Sequence, residues 1–227
     1  MTVDTPTAQY GEQAMDAPPT AARDQGPPPR PSAGAGADET RAALLQAAHD
    51  LLAAEGPSAL SVRRIAAAAG VSTMNVYSRF GGKVGVLDEL WIDGFRRLGE
   101  AMQDFPLTDD PLENLRRCGQ AYRAFARANP TYYSLMFDQA VRDFEPSEHA
   151  KAVAFDSLSR VVERVQAAMD EGAIPAGDAY QVAVGLWACE HGLVSLEMRM
   201  EHDGEFDWDH IAPATVAALV RGLAAGR

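Results

Sequence analysis

The chain has 227 residues, of which 47% are hydrophobic, and it carries a formal net charge of −12 with two cysteines. Its length suits one or two compact domains with a large core, and its acidity argues against indiscriminate binding to nucleic acids. The cysteines match no metal-binding spacing, and no apolar run approaches the roughly 20 residues that span a bilayer. We expect a soluble, cytoplasmic protein that needs no metal or cofactor.

Residues 1–37 differ in composition from the rest of the chain. They hold half of the prolines and almost no large aliphatic side chains. Such a segment cannot bury enough apolar surface to fold, and no basic region followed by an apolar run marks it as a signal peptide. We expect an inert, disordered tail; the alternative is an arm whose Arg23 and Arg30 reach a DNA groove.

The stretch from Leu60 to Lys83 predicts two short helices joined by a tight turn. Apolar residues recur at helical spacing as far as Gly70, which adopts a positive φ without steric cost, and Ser72 is placed to cap the second helix. Val76 and Phe80 lie one turn apart and should face the core, so the polar side chains of this helix should point outwards. A preceding helix over 39–55, ended by Gly56, should pack on the pair.

This helix pair has a local charge opposite to that of the whole chain. From Gly56 to Leu87 there are four basic residues and no Asp or Glu, which gives a local charge of +4 and leaves −16 for the remainder. A local basic surface is sufficient for phosphate contacts, and the polar helix face supplies groups that can read base edges. The alternative is an alanine-rich hairpin whose basic side chains are only solvated.

The stretch resembles the DNA-binding domain of the tetracycline-repressor (TetR) family. The resemblance covers Thr40 to about Leu87, and the segments that carry it are ALLQAAHDLLAAEG, SVRRIAAAAGVS, VYSRF at 76–80 and Lys83. It implies a dimer in which the second helix of the helix-turn-helix pair enters the major groove. It also implies that Tyr77 and Lys83 contact DNA phosphates. Gly81 and Gly82 replace a more rigid pair, which predicts a looser joint to the next helix. The expected DNA-binding residues are Ser61, Arg63, Arg64, Ser72, Thr73, Met74, Asn75, Tyr77, Ser78, Arg79 and Lys83.

The rest of the chain also reads as helical, because no segment shows strand alternation flanked by turn signals. We therefore predict an all-α fold with three parts. They are a tail over 1–37, a three-helix helix-turn-helix domain over 38–83, and a helical regulatory and dimerisation domain over 84–227. The predicted helices of the last part cover 83–103, 111–129, 130–137, 147–171, 178–201 and 211–225.

The helix over 178–201 is apolar on two faces, which predicts burial on two sides. The stripe of Tyr180, Trp187 and His191 is expected to face its own subunit, and a glycine-containing stripe should let a partner helix approach closely. With the final helix this predicts a four-helix interface across a two-fold axis; the alternative is a core helix of a monomer. The expected interface residues are Gly185, Cys189, Gly192, Leu196, Val216, Leu219, Val220 and Leu223.

The segment LWACEHGL, residues 186–193, resembles the signature of a TetR subgroup named for its Trp-His-Gly residues. That resemblance implies a regulatory core. Aromatic and methionine side chains with few polar groups are typical of an apolar small-molecule pocket, although any packed helical core has the same composition. We expect a pocket for an apolar or aromatic effector with Glu190 as its polar anchor, lined by Phe95, Tyr122, Phe125, Tyr133, Met136, Phe137, Trp187, Glu190 and His191.

These patterns together predict a homodimeric, ligand-responsive repressor that binds a palindromic double-stranded DNA operator. One alternative is a regulator that has no small-molecule inducer and is controlled by a protein partner. Another is a helical binding protein or enzyme that does not use DNA. Enzymatic function finds little support, because the chain lacks a His-Glu-x-x-His motif, a Gly-x-Ser-x-Gly elbow and a phosphate loop.

Overall fold

A computed structural model describes residues 33–138, 141, 144–200 and 204–225. Across these residues the chain is helical and has no strand, which confirms the predicted all-α class. The α-helices are α1 (Ala33–Glu55), α2 (Val62–Ala68), α3 (Thr73–Phe80), α4 (Lys83–Ala101), α5 (Pro111–Ala128), α6 (Pro130–Phe137), α7 (Glu148–Asp170), α8 (Ala179–Met200) and α9 (Trp208–Ala225).

The first helix begins earlier than expected. Residues 33–37, which the composition assigned to the tail, form the first turns of α1. Two of these five residues are glycines, so helix propensity does not explain the extension. The Thr40 hydroxyl donates to the Gly36 carbonyl at 2.7 Å within it, and this part of the tail prediction is wrong. Arg23 and Arg30 lie outside the described residues.

The helix termini show which sequence signals were reliable. The Asp110 carboxylate accepts from the backbone N–H groups of Leu112 and Glu113, and the Ser147 hydroxyl accepts from Ala150, close to the predicted helix starts at 111 and 147. Ser72 stands at the start of α3, but its hydroxyl accepts instead from the Asn75 side chain at 3.1 Å. The expected Ser72 cap is therefore replaced by a contact between two side chains.

The long helix α4 packs against both halves of the molecule. It contacts α1 and α3 on one side and α5, α6 and α7 on the other. One continuous core accordingly runs from Leu44 of α1 through Leu90 of α4 to Val194 of α8. Helix α4 approaches α6 closely at Gly94, where a Cβ atom would lie 2.6 Å from the Met136 sulfur.

A second core lies at the other end of the molecule, among α5, α7, α8 and α9. Its buried members include Leu115, Val165, Ala183 and Val216. Between the two cores the helices do not close completely, and an internal cavity remains. The fold therefore presents two features that bear on function, an exposed helical hairpin at one end and a cavity between the helices.

Candidate nucleic-acid interface and internal cavity

The helix-turn-helix pair is built as its sequence pattern predicted. Ile65 and Ala66 of α2 and Val76 and Phe80 of α3 are buried, so each short helix is held by its apolar face. Gly70 has a φ of +67°, which lets the chain reverse between the helices. The Ser61 hydroxyl accepts from the backbone N–H of Arg64 at 3.3 Å, so this predicted DNA-binding residue also caps α2.

The opposite face of α3 is open to solvent. Met74 is 70% exposed and Tyr77 is 55% exposed, although both side chains are large and partly apolar. Thr73 and Ser78 are exposed beside them. Asn75 is only partly exposed. Its side-chain amide donates a hydrogen bond to the Ser72 hydroxyl and accepts one from the Arg79 guanidinium at 2.8 Å. The outward face is therefore mixed in chemistry and partly ordered by its own hydrogen bonds.

The basic residues near α3 differ in their surroundings. Arg64 forms an ion pair with Glu55, which lies just before the acid-free stretch and reduces its effective positive charge. This ion pair raises the pKa of Arg64 and lowers that of Glu55. Arg63 is exposed, and Lys83 lies at the first position of α4. The expected basic surface is present, but Arg64 contributes less to it than the count of charges suggested.

The joint between α3 and α4 combines two unusual glycines with one very close contact. Gly81 and Gly82 have φ values of +71° and +138°, which side chains rarely adopt. A Cβ atom at Gly85 would lie 1.8 Å from the carbonyl oxygen of Phe80. Sequence reasoning noted the first two glycines as a source of looseness and missed the third. The contact at Gly85 brings the start of α4 directly against the end of α3.

The internal cavity has a volume of about 420 Å³ and is walled by side chains of α4, α5, α6, α7 and α8, with Val216 from α9. Its lining is largely apolar and aromatic. Six of the nine side chains predicted for a pocket line it, namely Phe95, Tyr122, Met136, Phe137, Trp187 and Glu190.

Three predicted pocket residues lie away from the cavity wall. Phe125 and Tyr133 are buried in the surrounding core. Tyr122 donates to Tyr133 at 3.4 Å, the Tyr133 hydroxyl is hydrogen-bonded to Nδ1 of His191 at 2.7 Å, and Nε2 of His191 lies 3.5 Å from the Ser195 hydroxyl. Burial lowers the pKa of His191, which favours the neutral ring. His191 is therefore a structural histidine in this arrangement.

The orientation of α8 differs from the prediction. Its buried side chains are Ala179, Ala183, Leu186, Glu190, Val194 and Glu197. Tyr180 and Trp187, which were expected to face inwards, are 44% and 37% exposed and stand at the edge of the cavity. The small alanines allow close packing of the neighbouring helices, whereas the large rings do not fit there. Phe155 of α7 stacks on Tyr180 with ring centroids 6.0 Å apart.

The sequence also missed part of the cavity wall. Trp91, Leu98 and Met102 of α4 and Leu158 and Val161 of α7 line it. These residues have ordinary helical spacing, which indicates burial but does not distinguish a cavity wall from a filled core. Cys118 also lines the cavity, and burial raises the pKa of its thiol to about 11.

A second cavity of about 330 Å³ adjoins the first and shares Gly119, Glu190 and Val216 with it. Its other walls carry arginines that are already paired. Arg123 donates two hydrogen bonds to Glu197 at 2.7 Å and a third to Asp209 at 2.8 Å. Arg127 also contacts Asp209. These ion pairs connect α5, α8 and α9 on one side of the molecule.

The residues predicted for a dimer interface fall into two groups. On α8, Leu196 is 50% exposed, and a Cβ atom at Gly185 or Gly192 would meet no atom within 4 Å, so this stripe is accessible. On α9, Val216 and Val220 are buried against the chain's own second core, which contradicts their placement on an open face. Cys189, Leu219 and Leu223 are half-buried.

A metal centre and a membrane span are two further features that would bear on function. The described residues hold no group of three His, Cys, Asp or Glu side chains arranged to bind a metal ion. None of their helices is both long and apolar enough to cross a bilayer.

Among solved structures, a protein of unknown function from Rhodococcus sp. RHA1 is similar, with 28% identity and a TM-score of 0.72 over 82% of this chain and 95% of that one. The TetR-family transcriptional regulator PfmR from Thermus thermophilus has 21% identity and a TM-score of 0.60 over 79% and 98% of the two chains. The fatty acid degradation regulator FadR from Bacillus halodurans has 18% identity and a TM-score of 0.64 over 82% and 95%. No curated protein matches the sequence.

Two family models match the chain and together cover most of the described residues. Residues 44–90 match the bacterial regulatory proteins of the tetR family, and residues 115–222 match the tetracyclin repressor-like C-terminal domain. The matches lie on the helix-turn-helix pair and on the helices around the cavity. The Trp-His-Gly subgroup remains a prediction. The chain belongs to the TetR family of transcriptional regulators.

Proposed function

We propose that this protein is a homodimeric, ligand-responsive transcriptional repressor that reads a palindromic operator with α3. The observation that carries the proposal is the exposed face of α3, which stands in a stretch without acidic residues although the chain as a whole is strongly acidic. A local field of this kind favours phosphate contacts at one end of the molecule only.

The side chains on and near α3 suggest two kinds of contact with DNA. Thr73, Met74 and Ser78 are exposed along the helix and suit the reading of base edges and thymine methyl groups. Tyr77 lies beside the turn before α4, because a Cβ atom at Gly82 would be 3.8 Å from its ring. Tyr77 and Lys83 are therefore placed at one edge of α3, where phosphate contacts would position the helix in the groove.

Effector control is supported by the position of α4. Its first turn packs on the end of α3 at Gly85, and its later residues Trp91, Phe95 and Leu98 line the cavity. A molecule bound in the cavity touches the same rigid helix that supports the DNA-reading element. If the molecule binds one orientation of α4 more tightly and DNA binds the other, each weakens the binding of the other, by at most this difference in binding free energy.

Dimerisation is supported by the accessible stripe on α8. Gly185 and Gly192 leave open space along this face, which allows a partner helix to approach closely. Two copies related by a two-fold axis would present two copies of α3 to successive major-groove faces, about one helical turn apart. Because Val216 and Val220 are buried in the subunit, α9 would contribute other residues to the interface, including the exposed Ala218 and Gly222.

The test is selection of bound fragments from a pool of random DNA by the full-length protein at near-physiological salt. Enrichment of a short inverted repeat is the expected result, and cross-linking on that fragment should show two copies of the protein. A pool without enrichment, at this salt and also at low salt, would contradict the proposal. The salt concentration is fixed because phosphate contacts alone give strong binding when salt is low.

A further inference from the structure

Glu190 is a carboxylate at the boundary between the two cavities. It lies on the inner face of α8, is only 7% exposed, and lines both spaces. The larger cavity is otherwise walled mainly by aromatic and aliphatic side chains. A buried ionisable group in such surroundings is costly unless a partner compensates its charge.

The neighbouring helix leaves room for this carboxylate. A Cβ atom at Gly119 of α5 would lie 1.9 Å from Oε1 of Glu190 and 2.9 Å from its Cδ atom. Every residue other than glycine would therefore displace the carboxylate from its present position. The glycine in the middle of α5, where helix propensity favours alanine, is explained by this contact.

Within the described residues, Glu190 has neither a hydrogen-bond partner nor an ion-pair partner. The cations that line the two cavities have carboxylate partners of their own. Arg116 pairs with Glu113, which it shares with Arg117, and Arg123 pairs with Glu197 and Asp209. Arg127 pairs with Asp209, and Lys151 pairs with Glu145 and Glu148. None of these cations pairs with Glu190, so its carboxylate is the acidic group of the shared wall that is left to pair with a bound cation.

The ionisation of Glu190 agrees with this geometry. Burial raises its pKa to about 7, and the charge of Arg123 opposes this increase only in part. Near neutral pH the carboxyl group is therefore divided between its protonated and ionised forms. A nearby positive charge would favour the ionised form.

We infer that the cavity takes an apolar molecule with one positive charge, such as a hydrophobic ammonium or phosphonium ion, and that Glu190 pairs with that charge. This inference rests on the proposed role of the cavity as an effector site. The aromatic walls formed by Trp91, Phe95, Phe137 and Trp187 suit such a molecule, because they accept its apolar body and their ring faces attract cations. An anionic ligand would instead place its charge against an unpaired carboxylate.

The experiment compares tetraphenylphosphonium with tetraphenylborate. The two ions have the same shape and opposite charges, and neither changes its charge with pH. Calorimetric titration into the full-length protein should show that the cation binds at least about tenfold more tightly than the anion, the discrimination expected of one buried charge pair. In Glu190→Gln, which keeps the shape of the side chain, affinity for the cation should fall about tenfold or more and the preference should disappear.

A second variant tests the position of the carboxylate without removing it. Gly119→Ala should displace Glu190 and weaken cation binding, whereas Gly99→Ala, which would place its Cβ 3.6 Å from Ser157, should leave binding unchanged. Thermal unfolding of each variant establishes that it folds.

Each outcome of the titration is informative. Binding of the anion in preference to the cation, or cation binding that survives Glu190→Gln unchanged, would overturn the inference and leave the effector site intact. Failure of both ions to bind would also overturn the inference, while effector control would still be tested by the DNA affinity of the protein with uncharged apolar molecules. The DNA selection described above tests operator binding independently of either result.

Discussion

Glu190 has a folded-state pKa of about 7, compared with an ordinary value of 4.5, because it is buried. In the unfolded chain the carboxyl group loses its proton near the lower value, whereas in the folded chain it keeps the proton up to the higher one. Between these values the folded state binds more protons than the unfolded state, so stability falls as the pH rises. This dependence of stability on pH is opposite in sign to that of a carboxylate in a salt bridge, which adds stability as the pH rises.

The corresponding prediction compares the wild type with Glu190→Gln. Between about pH 5 and about pH 8 the free energy of unfolding of the wild type should fall by about 2–3 kcal/mol relative to the variant. Chemical denaturation at a series of pH values measures this difference. The free-energy cost of burying the side-chain amide of the Glu190→Gln variant does not change with pH, so it cancels when the two pH profiles are compared. Parallel pH profiles of the two proteins would show that Glu190 ionises normally.

Lys83 provides a second prediction at the scale of a single residue. Lys83→Ala should weaken binding to every DNA sequence alike and reduce the slope of log K against log salt by about one, because one phosphate contact is lost. Arg96→Ala is the matched control, since Arg96 is exposed on the same helix but about 20 Å further along its axis. A change of sequence preference in Lys83→Ala would contradict its assignment to a phosphate.

At the scale of the helices, the contact between Gly85 and the Phe80 carbonyl makes a strong prediction. Gly85→Ala would place a Cβ 1.8 Å from a backbone oxygen, so α3 and α4 must separate. We expect a loss of about 2–3 kcal/mol in unfolding free energy and weaker operator binding. Gly99→Ala in the same helix has ordinary clearance and should be neutral or stabilising by up to about 1 kcal/mol. Thermal unfolding and DNA titration of both variants make the comparison.

The helices and their termini were largely predictable because each depends on local signals. The helices capped by Asp110 and Ser147 begin close to the predicted positions 111 and 147, and Gly70 makes the expected turn. The orientation of α8 was not predictable in this way. It carries apolar residues on two faces, so periodicity does not select one, and the small size of Ala183 decided the packing instead of the large apolar area of Trp187.

The cavity shows a different limit of sequence reasoning. Glu190 stood out in the sequence as a polar residue among aromatics, but its burial depends on Gly119, which is 71 positions away in the chain. The hydrogen bond between Tyr133 and His191 likewise joins α6 to α8 and removes both residues from the wall. Such contacts between distant segments form only in the folded chain.

At the scale of the whole molecule, the accessible stripe on α8 predicts how two subunits meet. Gly192→Phe should yield monomers that bind the operator poorly, because the large ring prevents close approach of the partner helix. The substitution should not disturb the subunit itself, since a Cβ at Gly192 meets no atom within 4 Å.

Ala167→Phe is the control for this experiment, because Ala167 is an exposed small residue on α7. It adds a similar apolar ring on a helix that has no role in the proposed interface, and the protein should remain a dimer. Sedimentation velocity measures both variants. A dimer that persists in Gly192→Phe would place the interface elsewhere.

The close contact of Gly94 with Met136 also limits how far this regulator can be recombined with its relatives. Hybrid proteins that join the DNA-reading half of one family member to the sensing half of another are most simply made by crossing over between the two segments. In this protein α4 packs against both halves. Gly85 allows its close contact with α3, and Gly94 allows its close contact with α6. A workable exchange would have to carry α4 and its partner residues together, so each half can be replaced only by one that already fits this helix.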